Sequence, residues 1–324
     1  LCKNDFNDIS SQFKHFIDLN CSDSKNILIF CEDHTRNLFY LENVYQLYQF
    51  IKSAGYNVTI CSYFNDHPQI CNQTGYLDLD TANHHSLRIY CLTYLIKHSD
   101  QFNFDCCLLN NDLIEGDLTA LKSLNIPIIP SLDFGWHKRQ KRTHFQYLNA
   151  LIDDMCHSCS LDFDPWLLST YFDCCENLSI NNEDDRTRLL DQASRVYDLI
   201  VKKYREHNIL DDPYLIIKSN NGTYGMGVVA INKPEDILLL NRKQRNKLLK
   251  GKSSLPISNL LIQEGVPTCQ RYEHSVSEDV IYNVNGNAIG GFQRVHSKKS
   301  DRDILNSSGM TFKAYCKNAR NSYL

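Results

Sequence analysis

At 324 residues the chain is long enough for about two domains, and an apolar fraction of 42% supports ordinary hydrophobic cores. No apolar run approaches the ~20 residues of a membrane span, so no membrane partner is expected. A net charge of −4 implies no general attraction to nucleic acid or anionic surfaces.

The first 130 residues alternate strand and helix patterns. Asn26–Cys31 reads as a buried strand, and Leu41–Ser53 as a helix with apolar residues at spacings of three and four. Tyr56–Ile60 is a second strand and Ser86–Lys97 a second helix. Cys106–Leu109 and Ile126–Ile129 are short strands around a helix at Leu118–Leu124. Strands alternating with helices predict a parallel, Rossmann-like α/β sheet. Residues 136–207 look mainly helical. Their last helix is capped by Asn182, opened by Glu183, Asp184 and Asp185, closed by Lys202, Lys203 and Arg205, and striped by Leu189, Ala193, Val196 and Ile200. After Pro213 the pattern turns to β, at Tyr214–Lys218, Gly227–Ile231, Leu260–Gln263, Asp279–Val284 and Ala288–Arg294. Asn285-Gly286 joins the last two as a two-residue hairpin. The change of pattern puts a domain boundary near 135, giving expected domains at 1–135 and 136–324.

Fourteen cysteines are scattered along the chain. Several lie in apolar runs, which suits small buried thiols in a reducing cytoplasm better than a disulfide framework. Cys156-His-Ser-Cys159 has metal or redox spacing but lacks a second pair at a zinc-site distance.

The segment from Leu215 to Ile231 carries the strongest chemical signal: strand, glycine-rich turn, strand, with Lys218 at the end of the first strand. Gly222, Gly225 and Gly227 let the backbone bend closely around a ligand, so that amide N–H groups can meet phosphate oxygens while Lys218 adds charge. Val228-Val-Ala-Ile231 continues as strand. That excludes the dinucleotide fingerprint and the Walker loop, which need a helix there. A glycine loop on a hairpin over ATP is the device of protein kinases and of ATP-grasp ligases, and a plain hairpin turn is the alternative. Gln263-Glu264 closes an apolar strand where backbone and carboxylate suit an adenine and a ribose. Arg294 and His296 end another strand, and Asp301, Asp303 and Asn306 follow with oxygen ligands of the kind Mg²⁺ takes alongside phosphates. Glu32-Asp-His-Thr-Arg-Asn37 and Asn110-Asn-Asp112 follow strands, where open α/β sheets bind ligands, and Arg36 is suited to a carboxylate. His137–Arg142 and Arg242–Lys252 are basic runs. Both read as solvated faces or phosphate neighbours rather than nucleic-acid modules.

Taken together, Glu32-Asp-His-Thr-Arg-Asn-Leu-Phe-Tyr-Leu-Glu-Asn43, Leu109-Asn-Asn-Asp-Leu113, Gly135-Trp-His-Lys-Arg139, Lys218–Gly227, Leu240-Asn-Arg-Lys-Gln-Arg-Asn-Lys247, Ile262-Gln-Glu-Gly-Val-Pro-Thr268, Gly290-Gly-Phe-Gln-Arg-Val-His296 and Leu305-Asn-Ser-Ser-Gly-Met310 occur in one order. The series resembles the proteobacterial glutamate–cysteine ligase family with an ATP-grasp fold and covers nearly the whole chain. Members extend further at both ends, so sequence beyond Leu1 and Leu324 is expected. Ser307-Ser308 stands where Ala-Pro is usual, and Ile304 where a polar residue is common. The resemblance implies an ATP-grasp ligase with an N-terminal Rossmann-like α/β domain. Its reaction would join the γ-carboxylate of glutamate to the amine of cysteine through an acyl phosphate, the first step of glutathione synthesis, with ATP and Mg²⁺.

Under that resemblance Lys218, Gly222, Thr223, Tyr224, Gly225, Met226 and Gly227 hold phosphates, and Gln263 and Glu264 meet the nucleotide. Lys218 and Arg294 are catalytic, Asp303 and Asn306 the metal ligands, and Arg36, Asn37, Asn111, Trp136 and His137 line the amino-acid side. The expected partners are glutamate, cysteine and ATP. Another acid–amine pair, or a non-catalytic nucleotide-binding relative, are the alternatives.

Overall fold

The structure, a computed structural model, describes residues 3–33, 38–64, 69, 73–114, 118–221, 227–249 and 258–314. The chain divides into two compact units, residues 1–135 with 281–290 and residues 136–280 with 291–324.

The first unit opens with α1 (Lys3–Asn20) and continues with β1 (Asn26–Cys31), α2 (Leu38–Ser53), β2 (Asn57–Ser62), β3 (Tyr76–Asp80) and β4 (Ser86–Cys91). Then come α3 (Leu92–Lys97), β5 (Cys106–Asn110), α4 (Thr119–Ser123) and β6 (Ile128–Ile129). The sheet order is β3-β4-β2-β1-β5-β6. All its pairs are parallel except β3 with β4. The apolar run of β1 is explained by two covered faces. Ile27, Ile29 and Cys31 enter one core with Leu41, Val44 and Ile51 of α2, while Leu28 and Phe30 enter another with Leu92, Leu95 and Leu121. A central parallel strand buried on both sides has no polar face to alternate with.

The helix expected over Ser86–Lys97 is instead a strand followed by a short helix. Leu87, Ile89 and Cys91 are buried in alternation, and Arg88 between them pairs across the ladder with Asp78, Nε to Oδ1 at 2.8 Å. A period of two sets strand structure there despite good helix formers.

In the second unit, α5 (Lys141–Ser158), β7 (Phe172–Cys175), α6 (Glu183–Glu206), β8 (Leu215–Ser219), β9 (Val228–Ile231), α7 (Arg242–Leu249) and β10 (Leu260–Glu264) build an antiparallel sheet of order β7-β10-β8-β9 with its helices. β7 interrupts a stretch expected to be mainly helical. Its four residues pair with the long apolar β10, a non-local contact that local periodicity does not report. Asn182 caps α6, accepting the Asp185 N–H at 3.1 Å, and Leu189, Ala193, Val196 and Ile200 pack on Leu215, Ile217, Leu260 and Ile262. A second antiparallel sheet holds β11 (Arg271–Tyr272), β12 (Ser275–Val284), β13 (Asn287–His296) and β14 (Thr311–Ala314). Asn285 and Gly286 turn β12 into β13 with φ of 50° and 81°, as a primed two-residue hairpin requires.

Among the described residues ten cysteines are free thiols, Cys159 and Cys269 exposed and the others buried. Cys91 is disulfide-bonded, beside the buried thiols expected in place of a disulfide framework. Among the described residues, no helix is long and apolar enough to cross a membrane.

Candidate functional site

Strand alternation decides what Lys218 can reach. In the β10–β8 register Leu261 lies opposite Lys218 and Gln263 opposite Ile216, so Lys218 and Gln263 share a face. Lys218 Nζ donates to Gln263 Oε1 and sits 5.0 Å from the ring centroid of Phe145 on α5. No carboxylate bonds Lys218 among the described residues, and burial pulls its ammonium down to about 8. Stripping water from a cation without supplying a counter-charge favours the neutral amine.

A second lysine arrives from α5. Lys141 Nζ donates to Ser219 O at 3.0 Å. It is likewise pulled down to about 8, first by burial and then by the positive charges of Lys218 and Arg139. The opening backbone of α5 also grips Asn220: Lys141 N–H donates to its carbonyl at 3.1 Å and Arg142 N–H to its Oδ1 at 2.9 Å. Trp136 lies alongside, its ring centroid 4.8 Å from the Arg139 guanidinium and 5.5 Å from Lys141 Nζ. His137 occupies the turn after it. The amides and charges of 136–142 therefore converge where β8 enters the glycine loop. Gly222, Thr223, Tyr224, Gly225 and Met226 lie outside the described residues. Gly227 has φ of 66°, and its carbonyl accepts the Ser219 N–H at 3.2 Å. The sequence showed the basic run but not its destination: Lys141 meets a carbonyl 78 positions away.

Glu264 follows Gln263 and so points to the opposite face, in register with Leu215. Its Oε2 accepts Trp166 Nε1–H at 3.0 Å and Tyr171 N–H at 3.3 Å. At 5% exposure, burial pushes its carboxyl above the usual range. Trp166 is in turn set by Asp164, whose Oδ1 accepts the Trp166 N–H at 3.0 Å and whose Oδ2 accepts from Lys203 Nζ at 2.6 Å, with His207 Nε2 at 2.8 Å. The Glu264 carboxylate is thus tied among aromatic rings under α6, and its backbone N–H donates to Tyr171 O at 2.9 Å.

The end of β13 brings a third group. Arg294 Nη1 donates to Glu278 Oε1, while its buried Nε has no hydrogen-bond partner among the described residues. His296 Nδ1 accepts the Lys298 N–H at 3.3 Å, so the proton sits on Nε2, which donates to Ser308 O at 3.1 Å. Asp303 Oδ2 accepts from Ser300 N–H at 2.9 Å and Ser300 Oγ at 2.8 Å, with Lys299 3.6 Å from Oδ1. These bonds hold the Asp303 carboxyl below its usual range, so it is an ionised oxygen donor at neutral pH. Asn306 lies half-buried three positions on. One carboxylate and one amide oxygen suit a hard cation that is held mainly by phosphates. No group of three His, Cys, Asp or Glu that could hold a metal occurs among the described residues.

In the first unit the topology itself marks a crevice. From β1 the chain adds β2 and β4 on one side and β5 on the other, and ligands in such sheets bind where the order reverses, beyond the carboxyl ends. There Glu32 Oε1 accepts the Asp112 N–H at 3.0 Å. Tyr40 Oη accepts the Glu32 N–H at 2.7 Å and donates to Asn110 O at 3.0 Å. Asn111 ties the two strand ends, Nδ2 donating to Cys31 O at 3.0 Å and Oδ1 accepting the Leu113 N–H at 2.8 Å. Arg36 and Asn37 lie outside the described residues.

The family model for glutamate–cysteine ligase (GshA) matches residues 1–323. The chain belongs to this family. Among solved structures, a protein provisionally assigned as a gamma-glutamylcysteine synthetase, from Methylobacillus flagellatus KT, is 30% identical with a TM-score of 0.81, over 97% of this chain and 73% of that one. D-alanyl-alanine synthetase A from Vibrio cholerae O1 biovar eltor is 12% identical over 89% of this chain and 73% of that one, with a TM-score of 0.40. D-cycloserine synthetase DcsG is 9% identical over 91% and 77%, also with a TM-score of 0.40. Both are too distant to carry an argument. Comparison with curated proteins gave no match. As a glutamate–cysteine ligase the chain forms γ-glutamylcysteine from glutamate and cysteine, using ATP.

Proposed function

We propose that this ligase works by ATP-grasp chemistry, in the cytoplasm, with residues 1–135, together with Trp136 and His137, on the amino-acid side and the rest of 136–324 on the nucleotide side. The observation that carries the nucleotide reading is that Lys141 reaches the Ser219–Asn220 entry to the glycine loop within the field of the Lys218 charge. The charge of Lys218 disfavours that of half-buried Lys141, so a polyphosphate that met both would gain from both.

In the proposed reaction an oxygen of the glutamate γ-carboxylate attacks the γ-phosphorus of ATP and ADP leaves. The cysteine amine then attacks the acyl carbon of the γ-glutamyl phosphate, expelling phosphate and losing a proton as the amide forms. The protein's task is positioning and charge. Lys218, Lys141 and the amides of 222–227 hold phosphate oxygens, Arg294 faces the transferring group, and Gln263 with the backbone carbonyl of Glu264 meets the nucleotide. Asp303 and Asn306 are the proposed ligands for Mg²⁺, which when bound neutralises phosphate charge. Arg36, Asn37, Asn111, Trp136 and His137 are assigned to glutamate and cysteine.

ADP release coupled to a reporter enzyme tests this directly. Glutamate plus cysteine should release ADP with matching γ-glutamylcysteine, and either alone should release little. A different acid–amine pair outperforming them would reassign the substrates, and nucleotide binding without product from any pair would mark a non-catalytic relative.

A further inference from the structure

The Lys218 ammonium is held by a side chain that is itself held. An ammonium only donates, so Gln263 must present Oε1 to it, which turns the Gln263 amide NH₂ the other way. That NH₂ donates to Thr170 Oγ1 at 3.2 Å. The Thr170 hydroxyl hydrogen goes to Tyr171 O at 3.5 Å, leaving its lone pairs to accept. Thr170 is 7% exposed, and Asn149 of α5 fixes its backbone, Nδ2 donating to Thr170 O at 2.9 Å and Oδ1 accepting the Thr170 N–H at 3.4 Å. Each link has one allowed polarity, running from Lys218 through Gln263 and Thr170 to Tyr171.

We propose that Thr170 is a positioning residue for the ligase reaction, acting through Gln263 to keep an amide oxygen aimed at the phosphate-binding ammonium of Lys218. Without the hydroxyl, the Gln263 amide loses what fixes its direction and can present NH₂ to a cation. Lys218 then loses its hydrogen-bond acceptor while keeping its charged neighbour Lys141, with Arg139 beyond it. The protonated form becomes harder to hold and the ammonium less well placed. The inference rests on the reading of Lys218 as a nucleotide ligand.

The test compares wild type, Thr170→Ser, Thr170→Val and Gln263→Glu in the ADP assay across pH, with titration of ε-¹³C-lysine NMR signals assigned by Lys218→Arg. Thr170→Val should lower kcat/KM for ATP about ten-fold, as expected for losing a hydrogen bond to a charged group. It should also move the Lys218 titration and the alkaline limb of the profile to lower pH. Thr170→Ser should restore both, and Gln263→Glu should move both to higher pH. Activity lost in Thr170→Val with the titration unmoved would reduce Thr170 to a packing role and overturn the proposal. Should Thr170→Val not fold, an unmoved titration in Gln263→Glu would overturn it equally. Unchanged ATP affinity in Lys218→Ala would instead sink the nucleotide reading of Lys218, so the two failures are distinguishable.

Discussion

Lys218 and Lys141 both sit near pH 8 in the folded protein because they are buried together, and that has a kinetic and a thermodynamic face. If phosphates are held by ammonium groups, kcat/KM for ATP should be level below about pH 8 and fall as pH rises through it, and a profile flat to pH 10 would contradict this. For stability the sign is opposite. The folded protein binds these protons less tightly than the unfolded chain, where lysine titrates near 10.4, so folding carries a penalty that is complete below pH 8 and fades as pH rises toward 10.4. Lys218→Met should therefore abolish most turnover yet raise Tm by a few degrees at pH 7, the gain vanishing at high pH. Calorimetry at both pH values checks it. Lys218 was legible because the glycine spacing after it is local. Lys141 was visible as one charge in a basic run, and what selects it from its neighbours is a contact across 78 positions. The opposite facing of Gln263 and Glu264 follows from strand alternation.

At the level of elements, α6 was the most readable piece, since cap, charges and stripe all act within the helix. Asn182→Ala should cost about 1 kcal/mol in urea denaturation, the usual worth of such a cap. The strand β4 is not legible because Leu, Arg and Tyr serve both patterns, and its pairing with β3 and β2 arbitrates. β7 is shorter still and exists because β10 offers an edge. Gly265, just beyond β10, illustrates a constraint that no propensity reports. A Cβ there would overlap the ring of Tyr214, which is buried and itself covered by the Arg302 guanidinium at 5.2 Å from its centroid. Gly265→Ala should destabilise the protein by roughly 1–3 kcal/mol, the common range for overpacking, and an unchanged denaturation midpoint would show that the ring yields.

Over the whole molecule, the α/β alternation of the first unit and the turn to antiparallel sheet in the second were both legible, because each follows from composition over tens of residues. How the sheets order their strands was not, since β5 joins β1 only through the fold. The proposed division of labour between units predicts separable ligand footprints. In hydrogen exchange, Mg²⁺-ATP should slow residues 215–231 and 260–264, while glutamate should slow the ends of β1 and β5. Glutamate protection confined to the second unit would refute the assignment. Nucleotide should also raise Tm with concentration, as any ligand of the native state does.

The order Gln263-Glu264, and not the reverse, has a consequence for misfolding. A slip of β10 by one residue exchanges the two faces. Slipped so that Glu264 takes the place of Gln263, the strand would set a carboxylate against Lys218, cancelling the charge that waits for phosphate, and push the Gln263 amide into the buried place of Ile262. A mispaired strand therefore cannot yield a stable but feeble enzyme. The error that silences the site also spoils the core, so faulty copies are marked for unfolding by the same two residues that serve the intact one.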